Sequence, residues 1–305
     1  MLPLFKHAIV GLDQSEASDL IMKCIPHLKK FGTKKVTLVT VVPVPYSGER
    51  TEFSTDQERK RLKKYKKELE KHGLVVETDL RSGVHFYPAT EILSSAREND
   101  ADYVVIANRG YSKVQEMLLG STATEVLQRS EFPVYLINIE VDWHDDDKKA
   151  RELVLAQSAE DSFNHVLHAT DFSKTARRAF DVVREFDKNG VIGKVSLIHV
   201  QGHHAIALSD PASREKLTDQ NRIQLEELRN DLSDNTRENA ETIVTFGSPA
   251  KEISNAADEI NATMLVIGAQ GKGFIEKFFI GGVSNQLTRI SKVPVLLVPA
   301  ERDQD

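Results

Sequence analysis

The 305-residue chain has one cysteine, Cys24. A lone cysteine excludes an intrachain disulfide, so packing must hold the fold, and a reducing compartment, the cytoplasm, is expected. Its neighbours Ile21, Met22 and Ile25 suit a helix core position rather than a reactive thiol. Long hydrophobic runs are also missing. The longest, such as residues 36–44, falls far short of a membrane span and includes Thr and Pro. The opening residues MLPLFKHAIVGLD enter an expected strand at once, with no charged leader and no apolar stretch before a cleavage site. No membrane association is therefore expected. Positive charge is not in excess: 40 Lys and Arg stand against 46 Asp and Glu, a formal net charge of −6. That argues against sequence-independent nucleic-acid binding, whose affinity comes from neutralising phosphates. The one basic stretch, residues 58–71, interleaves acidic residues at helical spacing and reads as a solvated helix face. The phosphate-loop pattern GxxxxGK followed by Ser or Thr is absent.

What the chain does have, it has twice. Residues 7–18 (HAIVGLDQSEAS) and 165–176 (HVLHATDFSKTA) each give an apolar strand, an Asp, and a Ser two positions later. Residues 101–138 and 262–299 align without a gap, Gly110 with Gly271 and Gly120 with Gly281, at an offset of 161; Asp13 and Asp171 align at an offset of 158. A period this long means a duplicated domain rather than a solenoid. With 40% hydrophobic and 28% charged residues the chain can bury two full cores.

Each copy alternates short apolar runs with helical patterns. In the first, strands are expected at residues 7–12, 36–42, 74–80, 103–107 and 134–139. Ser15 is expected to cap a helix that Gly32 ends, with further helices at 55–72, 87–99 and 120–130. The second copy repeats this order, with Ser173 as the corresponding cap and strands near 165–170, 194–200, 240–245, 263–268 and 294–299. Such alternation requires right-handed crossovers onto a parallel sheet. The expected fold is α/β: two tandem five-stranded doubly wound parallel-sheet domains, Rossmann-like, covering residues 1–141 and 161–305, with 142–160 as the linker.

In a doubly wound fold the ligand crevice lies at the C-terminal strand ends, where strand order reverses. Asp13 and Asp171 stand just past the first strand of each copy, where a carboxylate can accept hydrogen bonds from a sugar hydroxyl or a base amine. An Asp before a helix is also commonly just an Asx turn. Past the fourth strand comes a Gly-bearing loop, with Gly110 or Gly271, then Gly120 or Gly281 at a helix start. There the backbone can approach an anion closely. Ser121 and Thr122 add hydroxyl donors in the first copy; Gly282 and Val283 occupy those positions in the second. Plain turn glycines remain the bland alternative. The histidines fall mostly within strands, and His203–His204 lacks a third metal ligand at suitable spacing.

These residues resemble the universal stress protein family, and the resemblance covers nearly all of both copies. The signature of its nucleotide-binding members is G-x2-G-x9-G followed by Ser or Thr. The second copy reads Gly268-x2-Gly271-x9-Gly281-Gly282, complete in glycines but without the hydroxyl. The first reads Ala107-x2-Gly110-x9-Gly120-Ser121, with the hydroxyl but with Ala107 at the first glycine. The resemblance places Asp13 and Asp171 on the nucleoside, and Val41 and Val200 against adenine through their backbone. PATEI (88–92) and PAKEI (249–253) match the family's helix start. It implies ATP, or ADP or AMP, as ligand, with Mg²⁺ an optional companion. Binding is expected in at least one copy, favouring the first, where Arg109 and Lys113 add positive charge.

Three functional readings stay open: a nucleotide-binding regulatory protein of the stress response, a slow ATP hydrolase, and a nucleotide-free scaffold for an unknown protein partner. Hydrolysis would need a metal-holding carboxylate near the phosphates and a group to orient water. With no phosphate-loop Lys, weak ATP hydrolysis is the most expected of it. The apolar loop residues 116–119 and 276–280 would cover phosphates in the first reading and meet a protein in the last. The fifth strands, PVYLINI and PVLLVP, fall at sheet edges, where the family dimerises. An intrachain pseudo-dimer is expected there, with a homodimer of chains as a further option.

Overall fold

The computed structural model describes residues 5–44, 54–110, 119–143, 151–202, 210–271 and 280–301. Two compact units divide the chain between Ala159 and Glu160. In the first, strands β1 (His7–Gly11), β2 (Lys35–Pro43), β3 (Val75–Gly83), β4 (Tyr103–Ala107) and β5 (Val134–Ile137) form a sheet of order β3-β2-β1-β4-β5. Every pairing is parallel. β4 and β5 are buried along their whole length and β1 along all but its last residue. Their uninterrupted apolar runs are what a sheet covered on both faces demands.

The second unit repeats this with β8 (His165–Ala169), β9 (Lys194–Gln201), β10 (Glu241–Phe246), β11 (Met264–Gly268) and β12 (Val295–Val298), order β10-β9-β8-β11-β12, again all parallel. In both sheets the chain builds outward from the first strand and then crosses to its other side. The strand order reverses at β1/β4 and at β8/β11, so a crevice opens at their C-terminal ends. Each unit is thus a five-stranded doubly wound α/β domain.

Local sequence explains most boundaries. Ser15 caps α1 (Glu16–Cys24), its hydroxyl accepting from the Ala17 N–H at 3.2 Å. Ser173 caps α5 (Lys174–Lys188) through the Ala176 N–H at 3.1 Å. The stretch from Ser15 to Gly32 is not one helix. Pro26 has no N–H to give, so α1 passes into a 3-10 segment, Ile25–Phe31, which Gly32 closes in the left-handed conformation at φ 93°. The remaining helices of the first unit are α2 (Asp56–Glu70), α3 (Pro88–Glu98) and α4 (Ser121–Arg129). α2 is more than a solvated face, for Leu62, Tyr65 and Leu69 are buried along it. The second unit adds α6 (Pro211–Asn230), α7 (Asp234–Asn239), α8 (Pro249–Glu259) and α9 (Gly282–Ile290).

The stretch expected as a linker holds secondary structure. β5 ends at Ile137, and β6 (Ile139–Trp143) pairs antiparallel with β7 (Arg151–Leu155). The break is bonded on both sides of buried Asn138. The Ile139 N–H donates to Asn108 Oδ1 at 2.9 Å, and the Asn138 carbonyl accepts from the Ala156 N–H at 3.0 Å.

The histidines at the sheet bases are structural. His7 Nδ1 meets the Asn99 carbonyl at 3.1 Å and its Nε2 meets Thr37 Oγ1 at 2.9 Å. His165 repeats this with the Ile260 carbonyl at 3.0 Å and Ser196 Oγ at 2.9 Å. Burial lowers the pKa of both rings, so they serve as neutral struts. Burial also pushes the Cys24 thiol up to about 12, which makes it inert. Among the described residues no helix is long and apolar enough to cross a membrane.

Candidate nucleotide-binding clefts

Each unit opens one cleft at its strand switch point. The first, about 360 Å³, is lined by Asp13, Val41, Ala107, Arg109, Gly110, Gly120, Ser121 and Thr122, with Ile21, Pro88, Ile92 and Ile106 as apolar walls. The second, about 250 Å³, is lined by Asp171, Val200, Gly268, Gly271, Gly281, Gly282 and Val283, with Pro249, Ile253 and Ile267 as walls. Lys113, His203–His204, residues 116–118 and 276–279 lie outside the described residues.

The Asp at each cleft is an Asx turn on one oxygen and faces the Gly loop with the other. Asp13 Oδ1 accepts from the Ser15 N–H at 2.9 Å, Ser15 Oγ at 2.6 Å and Ser18 Oγ at 3.0 Å. A Cβ added at Gly110 would collide with Asp13 Oδ2. Asp171 Oδ1 accepts from the Ser173 N–H at 3.0 Å, and a Cβ at Gly271 would come within 2.5 Å of Asp171 Oδ2. Gly110 and Gly271 are therefore glycine because a carboxylate packs against their Cα. The residue after each Asp is left-handed without being glycine: Gln14 and Phe172 both have φ 61°. This costs roughly 1–2 kcal/mol and is unusual for a bulky side chain.

The two units hold that turn by different means. In the first, the Gln14 N–H donates to Ser18 Oγ at 2.9 Å. Arg61, from α2, donates to the Gln14 carbonyl, to the Ser15 carbonyl at 3.2 Å and to Asp19 Oδ2 at 2.9 Å. In the second, the Phe172 N–H donates to Thr170 Oγ1 at 3.0 Å and the Phe172 ring lies 4.6 Å from that of His199. Arg61 belongs to the basic run, whose charge pattern hides this role; nothing in the sequence singles it out.

The positions of Val41 and Val200 follow from strand length. The Leu12 N–H donates to the Val39 carbonyl at 2.8 Å, which closes the β1–β2 ladder. Backbone groups alternate sides along a strand, so Val41 turns its N–H and C=O to the side from which β1 has withdrawn. In the second unit the Thr170 N–H meets the Ile198 carbonyl at 2.9 Å, and Val200 is in the same situation.

The other glycines have a different cause. Gly120 and Gly281 are the N-caps of α4 and α9, at φ −58° and −63°, values open to any residue. Neither helix has a side-chain cap, whereas α1 and α5 are capped by serines. A Cβ at Gly120 would meet its nearest atom, the Asn108 carbonyl oxygen, at 3.5 Å. At Gly281 the nearest is the Ala269 carbonyl oxygen at 3.4 Å, and at Gly282 nothing among the described residues lies within 4 Å. Contacts among the described residues do not require glycine at these three positions. Each glycine keeps an uncapped helix N-terminus bare toward the cleft, the arrangement that favours a bound anion.

The first position of the glycine signature is packed differently in the two units. At Gly268 a Cβ would lie 3.0 Å from the Ala176 nitrogen and 3.1 Å from Thr175 Cγ2. At Ala107 the methyl is present, and the counterpart of Thr175 is the smaller Ala17, fully buried.

The family model described as the universal stress protein family matches residues 4–138 and 162–299. A universal stress protein of Mycolicibacterium smegmatis is 25% identical over 306 residues, covering 95% of this chain and 96% of its own. One from Bacillus subtilis is 29% identical over 150 residues, 45% of this chain and 99% of its own, so it has the length of a single unit. A crystal structure of a universal stress protein from Archaeoglobus fulgidus shares the fold at a TM-score of 0.69 and 23% identity, covering 96% of this chain and 98% of that one.

Proposed function

The chain belongs to the universal stress protein family, and from that premise we propose that it is a regulatory protein that binds an adenine nucleotide, ATP, ADP or AMP, in the cleft of its first unit. The observation that carries this reading is Gly120, a glycine at negative φ whose Cβ would make only an ordinary contact, 3.5 Å to the Asn108 carbonyl oxygen, capping a helix whose N-terminus lines the cleft. Packing among the described residues gives no reason for a glycine there; a phosphate lying against the backbone does.

The rest of the cleft suits the two ends of such a ligand. Asp13 Oδ2 and the Val41 backbone would take the nucleoside, with Ile92 and Ile106 as apolar walls. The first N–H groups of α4, the Ser121 and Thr122 hydroxyls and the Arg109 guanidinium would take the phosphates. A Mg²⁺ ion would enter with the nucleotide, bound to its phosphates. Occupancy of the cleft would then bias which surface the unit shows a partner.

The test is the adenine-nucleotide content of the freshly purified chain, followed by titration with ATP and Mg²⁺. Wild type is expected to carry or bind nucleotide, and Asp13→Ala and Gly120→Val to lose it. A wild-type chain that carries none and binds none at millimolar ATP would overturn the reading and leave the scaffold function in its place.

A further inference from the structure

The two clefts share a nucleoside end and differ at the phosphate end. Asp13 and Val41 have their counterparts in Asp171 and Val200, and the apolar walls Pro88 and Ile92 in Pro249 and Ile253. At the other end three positions change together. Arg109 becomes Gln270, Ser121 becomes Gly282 and Thr122 becomes Val283, all lining their clefts. One guanidinium and two hydroxyls are thus replaced by an amide, a hydrogen and an isopropyl group that is 39% exposed. Ser284, which also lines the second cleft, commits its Oγ to the Gly268 carbonyl at 2.7 Å. The second cleft is also the smaller, about 250 Å³ against about 360 Å³.

Resting on the nucleotide reading above, we infer that the second cleft takes a nucleoside carrying at most one phosphate, while the first takes the polyphosphate. The bare backbone at Gly281 and Gly282, at the start of a helix, suffices to seat one anionic group. A second and third phosphate bring further negative charge, and at the three described positions Gln270, Gly282 and Val283 the guanidinium and the two hydroxyls of the first cleft have no counterpart to meet it. Each hydrogen bond to a charged oxygen changes affinity by roughly tenfold to a hundredfold. The three replacements therefore remove most of the preference for ATP over AMP.

Calorimetric titration of the full chain with adenosine, AMP and Mg·ATP tests this, using one blocked cleft at a time. Gly281→Val leaves the first cleft to report, and ATP is expected to bind it at least about a hundredfold more tightly than AMP. Gly120→Val leaves the second, where the two are expected to lie within about tenfold of each other. Adding Gln270→Arg, Gly282→Ser and Val283→Thr to Gly120→Val is expected to raise ATP affinity at least about tenfold with a smaller change for AMP. Far-UV circular dichroism checks the fold of each variant. If a valine variant does not fold, the triple replacement in the wild-type chain reads the same gain on its second site.

A second cleft that prefers ATP as strongly as the first overturns the inference. So does one that binds none of the three compounds while the first cleft binds ATP. A wild-type chain that binds no adenine compound at either cleft defeats the nucleotide reading itself, a result distinct from both.

Discussion

Replacing Gly120 with serine separates a glycine kept for a ligand from one kept for the fold. At φ −58° and ψ 150° the backbone accepts a side chain without strain, and the new Cβ would have its closest neighbour at 3.5 Å. Removing a glycine at a compatible position stabilises by about 0.4–1 kcal/mol through the unfolded state. Serine also caps a helix better than glycine by a few tenths of a kcal/mol, offset by a similar cost in ordering its side chain. Gly120→Ser should therefore be more stable than wild type by about 0.5–1 kcal/mol, read as a higher urea midpoint at unchanged slope. The same Cβ and hydroxyl project into the space proposed for phosphate, so ATP affinity should fall at least about tenfold. Gly110→Ala is the control. Its methyl overlaps Asp13 Oδ2 and must push out a carboxylate that holds three hydrogen bonds on its other oxygen. That should destabilise by about 1–3 kcal/mol. If Gly120→Ser costs more than about 1 kcal/mol, the glycine is architectural and the reasoning is wrong. A stable variant that binds ATP like wild type refutes it equally.

Other perturbations test other parts of the structure. His168 is fully buried, its Nδ1 on the Val266 carbonyl at 3.0 Å and its Nε2 without a partner among the described residues. Burial lowers its pKa to about 4, with Asp171 opposing and Arg177 adding smaller electrostatic effects. The folded ring stays neutral while the unfolded one, near 6.5, takes up a proton. Stability present above about pH 6.5 is therefore lost as the pH falls toward 4, about 2 kcal/mol of it between pH 7.5 and 5. His168→Val, the residue at the counterpart Val10, should remove that part of the acid sensitivity in thermal melts at the two pH values; an unchanged wild-type slope would refute the assignment. Gly268→Ala should destabilise by about 1–3 kcal/mol, and adding Thr175→Ala should restore about 1 kcal/mol of it, since Thr175 Cγ2 is one of the crowding atoms; strict additivity in urea denaturation would count against that contact. Arg61→Ala removes donors from the Gln14 and Ser15 carbonyls and should cost about 1–2 kcal/mol, with faster amide exchange at residues 14–18 as its local sign. Exchange unchanged there would mean that the turn does not depend on α2.

The fold was legible in the sequence because its signal is continuous. Strands buried on both faces are apolar almost throughout, and the strands built from residues 103–107 and 264–268 can be seen as such. The signature spacing was legible because the loop from the fourth strand to the next helix has a fixed reach in both units. What escaped lies where polar residues form regular structure through contacts distant in sequence. β3 runs on to Gly83 because Arg81 is gripped by Asp79 at 2.8 Å, Glu91 at 3.3 Å and Glu98 at 2.5 Å. The β6–β7 hairpin depends on Asn108, thirty-one residues from the Ile139 N–H that it accepts from. No local pattern contains Arg81 with Glu98, or Asn108 with Ile139.

A motif also records a residue type without the reason for it. Gly110 and Gly120 are the same letter ten positions apart, yet a carboxylate excludes a side chain at the first, while at the second, among the described residues, a Cβ would meet just one atom, at an ordinary 3.5 Å. Ala107 makes the complementary case. Measured against the signature it is a defect, because the pattern has glycine there. In the second unit that glycine is crowded by Thr175 at the start of the neighbouring helix, and in the first unit the counterpart of Thr175 is the smaller Ala17. The branched side chain has been exchanged for a methyl on one side of the contact and a hydrogen for a methyl on the other, so the volume lost at one position is partly regained at the other. Between the two units volume is traded between a strand end and a helix start, and on that account Ala107 is compatible with the floor of the first cleft.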